Sequence, residues 1–329
     1  MIDYRSVSVT TENQIASSGP RVQVQILKPE EPLVSVIMNC YNGAQYLGVA
    51  IDSVLAQSYA NWEIVFWDNQ STDDSADIVK SYSDLRIKYF YASKQTPLYE
   101  ARNCAVQKAG GELLAFLDVD DIWLPAKLEK QVMFFTDSEV GFVCGNYWVE
   151  SGGGSGSGGR RRLVHKRPIP EGWVLDALLK FYFVGLVTLM VRRAAFDSLE
   201  HPFDPRYHII SDLDLVIRLS MTWKAGSVQE PVAVYRMHGN NESTKQRVRH
   251  ADELEQWSSE MKGVAAIKSS CNAHFIRSNF AYIKAMNFVL LGNKRGAYRL
   301  LHELPWGQLK LRLWASLLLP RFVVQRVKN

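Results

Sequence analysis

The stretch Leu-Leu-Ala-Phe-Leu-Asp-Val-Asp-Asp spans residues 113–121 and joins an apolar run to a cluster of acids. The apolar run is typical of a buried strand, and Asp118, Asp120 and Asp121 follow where that strand ends. Carboxylates this close repel one another and lose hydration unless a cation lies among them. Hard oxygen ligands favour Mg²⁺ or Mn²⁺, which bind few protein carboxylates together with phosphate oxygens. The stretch therefore predicts a divalent metal and a diphosphate-bearing substrate, although an acidic turn before a helix has a similar composition.

Apolar runs that predict strands alternate with segments of helical spacing before this stretch. We expect strands at residues 34–38, 62–67 and 87–91, and helices at residues 46–55 and 98–109. Because the connections are short, this order predicts an α/β fold with a mostly parallel sheet flanked by helices.

Polar residues follow three of the predicted strands, at 39–42, 68–69 and 118–121. Ligands of parallel α/β sheets bind beyond the carboxyl ends of the strands. The three segments should therefore meet at one edge of the sheet, which favours a binding site over three unrelated turns. Further along, residues 184–192 predict another strand and residues 212–221 an amphipathic helix.

The composition is that of a globular protein with a buried core. Hydrophobic residues make up 47% of the 329 residues and charged residues 22%. The net charge of +4 is too small to indicate a nucleic acid partner, and none is expected. No apolar run reaches the about 20 residues that span a bilayer, and residues 1–32 lack a signal-peptide pattern. We therefore expect a cytoplasmic protein.

Three parts of the chain differ in composition. Residues 1–31 are predicted to be an extension, residues 32–241 the sheet domain, and residues 242–329 a C-terminal helical region. Residues 151–159 are a Gly/Ser-rich stretch that resembles a flexible linker. The apolar residues 309–327 are bordered by Lys and Arg, and two interpretations are open. The segment either packs on the main domain or makes peripheral contact with the anionic inner face of the cytoplasmic membrane.

Six segments form an ordered set along the sheet domain. They are VSVIMNCYN at 34–42, SVLAQSY at 53–59, WEIV at 62–65, DNQSTD at 68–73, ARN at 101–103 and FLDVDD at 116–121. Together they resemble the family 2 glycosyltransferases over about residues 32–241. The resemblance implies the GT-A fold, a nucleotide-diphospho-sugar-binding α/β domain, and sugar transfer with inversion. The QxxRW signature of processive synthases is absent, which implies single transfers rather than polymer extrusion.

The resemblance also implies which residues contact the sugar-nucleotide donor. These positions are Asn39, Tyr41, Asn42, Asp68, Arg102, Asp118 and Asp121. Tyr41 and Asn42 match positions that line the base and ribose, and Asp68 matches an acid that hydrogen-bonds the base. Asn69 and Gln70 stand where the family usually has a second acid and a glycine.

The metal ligands and the catalytic base are implied in the same way. Asp120 matches the metal ligand of the DXD signature, so the cofactor would be Mg²⁺ or Mn²⁺. His238 closes a Tyr-Arg-x-His segment and would lie near the diphosphate or the metal. Asp212 matches the catalytic base, and it follows Ser211, where the family usually has Glu. The alternative for Asp212 is the N-cap of a helix.

The sequence therefore predicts an inverting glycosyltransferase that moves a sugar from a nucleotide-diphosphate sugar to a hydroxyl of a saccharide or lipid-linked acceptor, in cell-surface polysaccharide synthesis. A metal-dependent nucleotidyltransferase is one alternative, but it would be expected to carry a glycine-rich basic loop in place of residues 39–42. A non-catalytic nucleotide- or glycan-binding module is another. Loss of Asp120 or Asp212 would indicate such a module, and both are present.

Overall fold

The computed structural model describes residues 31–152, 159–239, 241–320 and 323–324. Within these ranges, helices flank a nine-stranded mixed sheet. The strands are β1 Val34–Cys40, β2 Trp62–Asp68, β3 Ile87–Tyr91, β4 Leu113–Phe116, β5 Ile122–Trp123, β6 Val140–Ser151, β7 Arg160–Leu163, β8 Met190–Arg192 and β9 Lys224–Met237. The helices are α1 Ala44–Leu55, α2 Ser75–Lys80, α3 Leu98–Val106, α4 Lys127–Val132, α5 Leu175–Lys180, α6 Arg193–Asp197, α7 Ser211–Ser220, α8 Glu242–Lys245, α9 Arg247–Met261, α10 Ala265–Lys268, α11 Ala273–Leu291, α12 Lys294–Leu301 and α13 Gln308–Leu318.

The sheet is parallel in its N-terminal half and mixed beyond it. Its order is β3-β2-β1-β4-β8-β6-β9-β5, with β7 paired to β6. The pairs β3–β2, β2–β1 and β1–β4 are parallel, as the alternation of strands and helices predicts. From β4 onward the β4–β8, β8–β6 and β9–β5 pairs are antiparallel, whereas β6 and β9 are parallel. Because β1 and β4 are neighbours, the turns that follow them open at the same edge.

Strand β1 shows why the sheet is covered on both faces. Val36 and Met38 pack into one buried cluster, and Ile37 between them packs into another. The two clusters lie on opposite faces, because successive side chains of a strand alternate. A strand buried on both faces reads as a continuous apolar run, which is the pattern that predicted it.

The expected strand at residues 184–192 is only partly present. Met190–Arg192 is a strand, but Leu186–Thr188 forms a 3₁₀ turn. Side chains bind its carbonyl groups in place of a neighbouring strand: Trp123 Nε1 donates to the Val187 carbonyl oxygen at 2.9 Å and Gln131 Nε2 to that of Thr188 at 2.7 Å. The backbone groups are thus satisfied without a sheet ladder.

The described C-terminal helices belong to the same compact unit as the sheet. Leu254 and Trp257 of α9 belong to the buried cluster that also includes residues of α7. A separate buried cluster joins α11, α12 and α13. Among the helices that the structure describes, none combines the length and the hydropathy of a membrane-spanning segment. Residues 153–158 of the Gly/Ser-rich stretch lie outside the described residues.

Candidate active site

One cavity of about 910 Å³ opens beyond the carboxyl ends of β1 and β4. Segments far apart in the sequence line it: the turns after β1 and β4, the start of α3, the first turn of α7 and the end of β9. Of the predicted site residues, Asn39, Tyr41, Asn42, Arg102, Asp118, Asp120, Asp121, Asp212 and His238 line this cavity. The sheet thus brings nearly all of the predicted site together.

Asp118 is held by a buried arginine. The Nη2 atom of Arg102, on α3, lies 2.9 and 3.3 Å from the two carboxylate oxygens of Asp118. Arg102 is buried, whereas Asp118 is half-buried and faces the cavity. Charge-assisted hydrogen bonds of this kind are strong, so Arg102 fixes the orientation of the Asp118 carboxyl group.

Asp120 and His238 are in direct contact in the lining of the cavity. The Oδ2 atom of Asp120 lies 2.9 Å from His238 Nε2 and 3.5 Å from Asn241 Nδ2. The ring of Tyr46 stacks on the His238 ring with the centroids 5.1 Å apart, which orients the imidazole. Burial raises the pKa of Asp120, and the neighbouring Asp118 charge raises it further.

This pair offers a carboxylate oxygen and an imidazole nitrogen, a donor set that fits Mn²⁺ or Mg²⁺ when other ligands complete it. Among the described residues, no group of three or more His, Cys, Asp or Glu side chains could hold a metal ion by itself. An ion at Asp120 would therefore need oxygen ligands from a substrate or water. A cation at this position would oppose the rise in the Asp120 pKa, because positive charge favours the ionised form of the carboxyl group.

Asp121 has a different environment from the other two acids. It is buried, and its Oδ1 accepts a hydrogen bond from the backbone N–H of Arg236 at 3.0 Å. Arg236 Nε in turn donates to the backbone carbonyl of Asp120 at 2.5 Å. Burial raises the pKa of Asp121 well above its ordinary value, and the charges of Asp120 and Asp118 add to this effect. Asp121 and Arg236 thus tie the acidic turn to the end of β9; a contact with the donor sugar stays a prediction.

Asp212 lies in the first turn of α7 and is not its cap. The helix begins at Ser211, Ile210 occupies the cap position, and no side chain makes a capping hydrogen bond in the described structure. Asp212 is half-buried and lines the cavity. Burial raises the pKa of its carboxyl group, and the Arg102 charge opposes that rise.

Two tyrosines that sequence reasoning missed lie near Asp212. Burial raises the pKa of Tyr147 to about 12, and the charges of Asp121 and Asp212 contribute. Burial also raises the pKa of Tyr182, and the Asp212 charge raises it further. Tyr147 belongs to β6, a strand that the sequence did not predict, so no motif pointed to it.

Two residues away, Asp214 plays a structural part. It is fully buried, its Oδ2 accepts from Arg218 Nε at 2.8 Å, and its Oδ1 accepts from Trp257 Nε1 at 2.9 Å. Glu253, also on α9, accepts hydrogen bonds from the backbone just before α7. Helix α9 therefore holds the helix that carries Asp212.

The turn after β1 also contributes polar residues to the lining of the cavity. Tyr41 is 53% exposed, and Asn39 Nδ2 has no hydrogen-bond partner within the described residues. Asn42 has φ 54°, in the left-handed region that Asn tolerates better than most residues. Its Oδ1 accepts from the Thr72 N–H at 2.8 Å, which compensates for this backbone conformation.

Asp68 is the predicted site residue that the structure does not bring to the cavity. It is fully buried, its Oδ1 accepts from the Ser71 N–H at 2.7 Å, and its Oδ2 accepts from the Tyr89 hydroxyl at 2.7 Å. The next residue, Asn69, lines the cavity instead. Gln70 has φ 67°, a conformation that explains why a glycine suits its position. A contact between Asp68 and a base stays a prediction.

Comparison with known proteins finds related sequences. A sequence model of Glycosyl transferase family 2 matches residues 35–198. WfgD of Escherichia coli, a UDP-Glc:alpha-D-GlcNAc-diphosphoundecaprenol beta-1,3-glucosyltransferase, is 34% identical over 53% of this chain and 66% of its own length. TuaG of Bacillus subtilis (strain 168), a putative teichuronic acid biosynthesis glycosyltransferase, is 30% identical over 77% of this chain and 94% of its own length.

Solved structures share the fold at low sequence identity. The mannosyltransferase PcManGT from Pyrobaculum calidifontis, in complex with GDP-Man and Mn²⁺, has a TM-score of 0.58 at 18% identity and covers 87% of this chain and 79% of that chain. TarS of S. aureus has a TM-score of 0.57 at 15% identity and covers 86% of this chain and 52% of that chain. The predicted family and fold are confirmed: the chain has the GT-A fold and belongs to the family 2 glycosyltransferases.

Proposed function

We propose that this glycosyltransferase moves a sugar from a nucleoside diphosphate sugar to a hydroxyl group of a lipid-linked or saccharide acceptor, with inversion at the anomeric carbon. The observation that carries the proposal is that Asp120, His238 and Asp212 line one cavity. The proposed diphosphate site and the proposed base would thereby share a single cavity.

The donor would lie along the cavity between the β1 turn and the acidic turn. The exposed ring of Tyr41 offers a surface on which a nucleobase can stack, and the unpartnered Asn39 Nδ2 offers a hydrogen-bond donor. Asp120 and His238 would hold Mg²⁺ or Mn²⁺ beside the diphosphate. When bound, the ion would supply positive charge that stabilises the departing nucleoside diphosphate.

Asp212 would accept the proton of the acceptor hydroxyl as that oxygen attacks the anomeric carbon. Burial raises the Asp212 pKa, which makes its carboxylate a stronger base, and the Arg102 charge opposes that rise. The other two nearby acids already accept hydrogen bonds, Asp118 from the Arg102 guanidinium and Asp121 from the backbone N–H of Arg236. A single attack opposite the leaving diphosphate, with Asp212 as the base, would invert the anomeric centre.

The named relatives support the substrate classes. WfgD is named for a UDP-Glc donor and a diphosphoundecaprenol-linked acceptor, and TuaG for teichuronic acid biosynthesis. PcManGT was solved with GDP-Man and Mn²⁺. These donors differ in base and sugar but share a nucleoside diphosphate, which is the part that the acidic turn would recognise.

A donor screen tests the proposal. The full chain is incubated with a panel of UDP- and GDP-sugars, with Mn²⁺, Mg²⁺ or a chelator, and release of the nucleoside diphosphate is measured. We expect release from at least one donor in the presence of a divalent ion and none with the chelator. The anomeric proton of the product, followed by NMR, should show the configuration opposite to that of the donor. A product with retained configuration, or nucleoside diphosphate release that the chelator does not reduce, would contradict the mechanism.

A further inference from the structure

The hairpin of α12 and α13 is apolar on its inner and its outer side. Leu301 and Leu313 are buried in the cluster that joins these helices to α11. On the outer side of α13, Leu311, Trp314 and Leu318 are 61%, 54% and 69% exposed. Their spacing of three and four residues puts them in one stripe along the helix. We use the name hairpin face for this stripe together with Trp306 in the connecting loop and the basic residues Lys294, Arg295, Arg299, Lys310 and Arg312.

The charges on this hairpin are almost all positive. Residues 294–320 contain five Lys or Arg and one Glu, so this short segment has a net charge as large as that of the whole chain, +4. Lys294 and Lys310 donate hydrogen bonds to the backbone carbonyls of nearby leucines. Arg295, Arg299 and Arg312 form no ion pair with any residue that the structure describes. These guanidinium groups remain available for an external anion.

Part of the hairpin face is concave. An open depression of about 460 Å³ is lined by Lys294, Arg295, Tyr298, Arg299 and Leu317. Guanidinium groups bind phosphate oxygens in a bidentate manner, and a tyrosine ring beside them suits the boundary between water and acyl chains. The depression therefore fits the phosphate of a headgroup, beside the apolar stripe that would contact acyl chains.

We propose that the hairpin face docks this protein peripherally on an anionic phospholipid bilayer. Arg295, Arg299 and Arg312 would pair with headgroup phosphates, and Trp306 and Trp314 would lie at the interface, where Trp is enriched in membrane proteins. The leucines of the stripe would enter the headgroup and acyl boundary, as in other interfacial amphipathic helices. A bilayer accounts for both features at once, since its surface is negative and its boundary layer is apolar.

This docking goes beyond the proposed transfer chemistry, because the hairpin face contributes no residue to the active-site cavity. It would bring the catalytic domain to the surface that holds a lipid-linked acceptor. The two proposals can therefore fail separately: binding to vesicles requires no donor, metal or acceptor.

Co-sedimentation of the full chain with vesicles tests the docking. Vesicles of phosphatidylcholine alone are compared with vesicles that also contain phosphatidylglycerol, at low salt and in about 0.5 M NaCl, which screens the charges. We expect binding to the anionic vesicles at low salt, at least about tenfold weaker binding at high salt, and little binding to phosphatidylcholine. Equal binding to both kinds of vesicle, or none to either, would overturn the proposal.

Point variants locate the surface. Trp314→Glu and the pair Arg295→Glu and Arg299→Glu should each reduce anionic-vesicle binding at least about tenfold with an unchanged melting temperature. Leu85→Glu is the matched control: Leu85 is 95% exposed between α2 and β3, and its variant should bind like the wild type. An equal loss in the control would contradict the assignment. A second result would also contradict the assignment: the wild type binds no vesicles and forms a dimer in solution that Trp314→Glu dissociates. In that case a second copy of the chain, and not a bilayer, would cover the stripe.

Discussion

Glu253 accepts a hydrogen bond from the backbone N–H of Ile209 at 2.7 Å. The same carboxylate accepts from the N–H groups of His208 at 3.0 Å and Ile210 at 3.3 Å. Three consecutive N–H groups thus point at one buried anion on α9, and the chain enters α7 directly after them. Because Asp212 lies in the first turn of α7, the C-terminal helical region fixes the backbone that carries the candidate base.

Glu253→Gln should lower kcat about tenfold to 10²-fold and leave the KM for the donor nearly unchanged. An amide offers one acceptor oxygen and turns an N–H₂ group toward backbone N–H groups, so the segment before Asp212 would shift. Steady-state kinetics with the donor varied measures both constants. The melting temperature should fall too, since buried N–H groups lose a charged partner.

The control for this variant is Glu255→Gln, on the same helix. Glu255 is exposed and pairs with Lys284, so its variant removes the same charge without touching α7. Its kcat should equal that of the wild type. If Glu253→Gln loses stability but the folded enzyme keeps its kcat, Glu253 supports the fold alone and does not position Asp212.

Asp120→Ala should abolish the part of nucleoside diphosphate affinity that depends on the divalent ion. The variant removes the carboxylate that faces His238, so an ion beside the diphosphate would lose its protein ligand. Calorimetric titration of UDP and GDP, with and without Mn²⁺, measures this dependence. Asp77→Ala, which removes an exposed carboxylate of α2, should bind as the wild type does. Metal-dependent affinity that survives in Asp120→Ala would remove Asp120 from the metal site.

Arg102→Gln should move the acid limb of the kcat/KM profile to higher pH. The Arg102 charge lowers the pKa of Asp212, so its loss raises that pKa. The base is active when ionised, and a higher pKa means that a higher pH is needed to ionise it. Arg102→Lys keeps the charge and should keep the limb close to its wild-type position. An unchanged limb in Arg102→Gln would indicate that another group controls it.

The N-terminal half of the sheet was predictable because each of its strands is a continuous apolar run. The observed bounds Val34–Cys40, Trp62–Asp68 and Ile87–Tyr91 lie close to the expected ones. Strand β6 was not predicted, since Gly141 and Gly145 interrupt its apolar pattern. A Cβ at Gly141 would lie 2.4 Å from the Trp223 side chain and one at Gly145 2.7 Å from that of Val232, so close packing requires both glycines.

Within the site, motifs at strand ends could be found from the sequence, but supporting contacts could not. Asp118, Asp120 and Asp212 each belong to a motif and line the cavity. Asp68 also belongs to a motif, but its carboxyl group accepts hydrogen bonds from the Tyr89 hydroxyl and the Ser71 N–H and does not line the cavity. Nothing in the sequence around Glu253 indicates this role, because the backbone N–H groups of His208, Ile209 and Ile210 that it binds lie more than forty residues earlier in the chain.

Asp212→Asn should not lower the melting temperature at neutral pH. A carboxyl group whose pKa is higher in the folded than in the unfolded chain stabilises the fold below its unfolded pKa. That contribution is lost as the pH rises through the folded pKa. Burial raises the Asp212 pKa, so its ionised form is unfavourable in the fold near pH 7, and a neutral amide removes this penalty. A large fall in melting temperature, measured by calorimetry, would show that the carboxylate supports the fold.

The kcat of Asp212→Asn tests the central claim, that Asp212 is the base of the transfer, most directly. The amide has nearly the shape of the carboxyl group but cannot accept a proton, so we expect kcat to fall about 10²–10⁴-fold with donor and metal affinity retained. Asp214 is fully buried and bound to Arg218 and Trp257, which leaves it unable to take over. Sugar transfer by Asp212→Asn at near the wild-type rate would contradict the account.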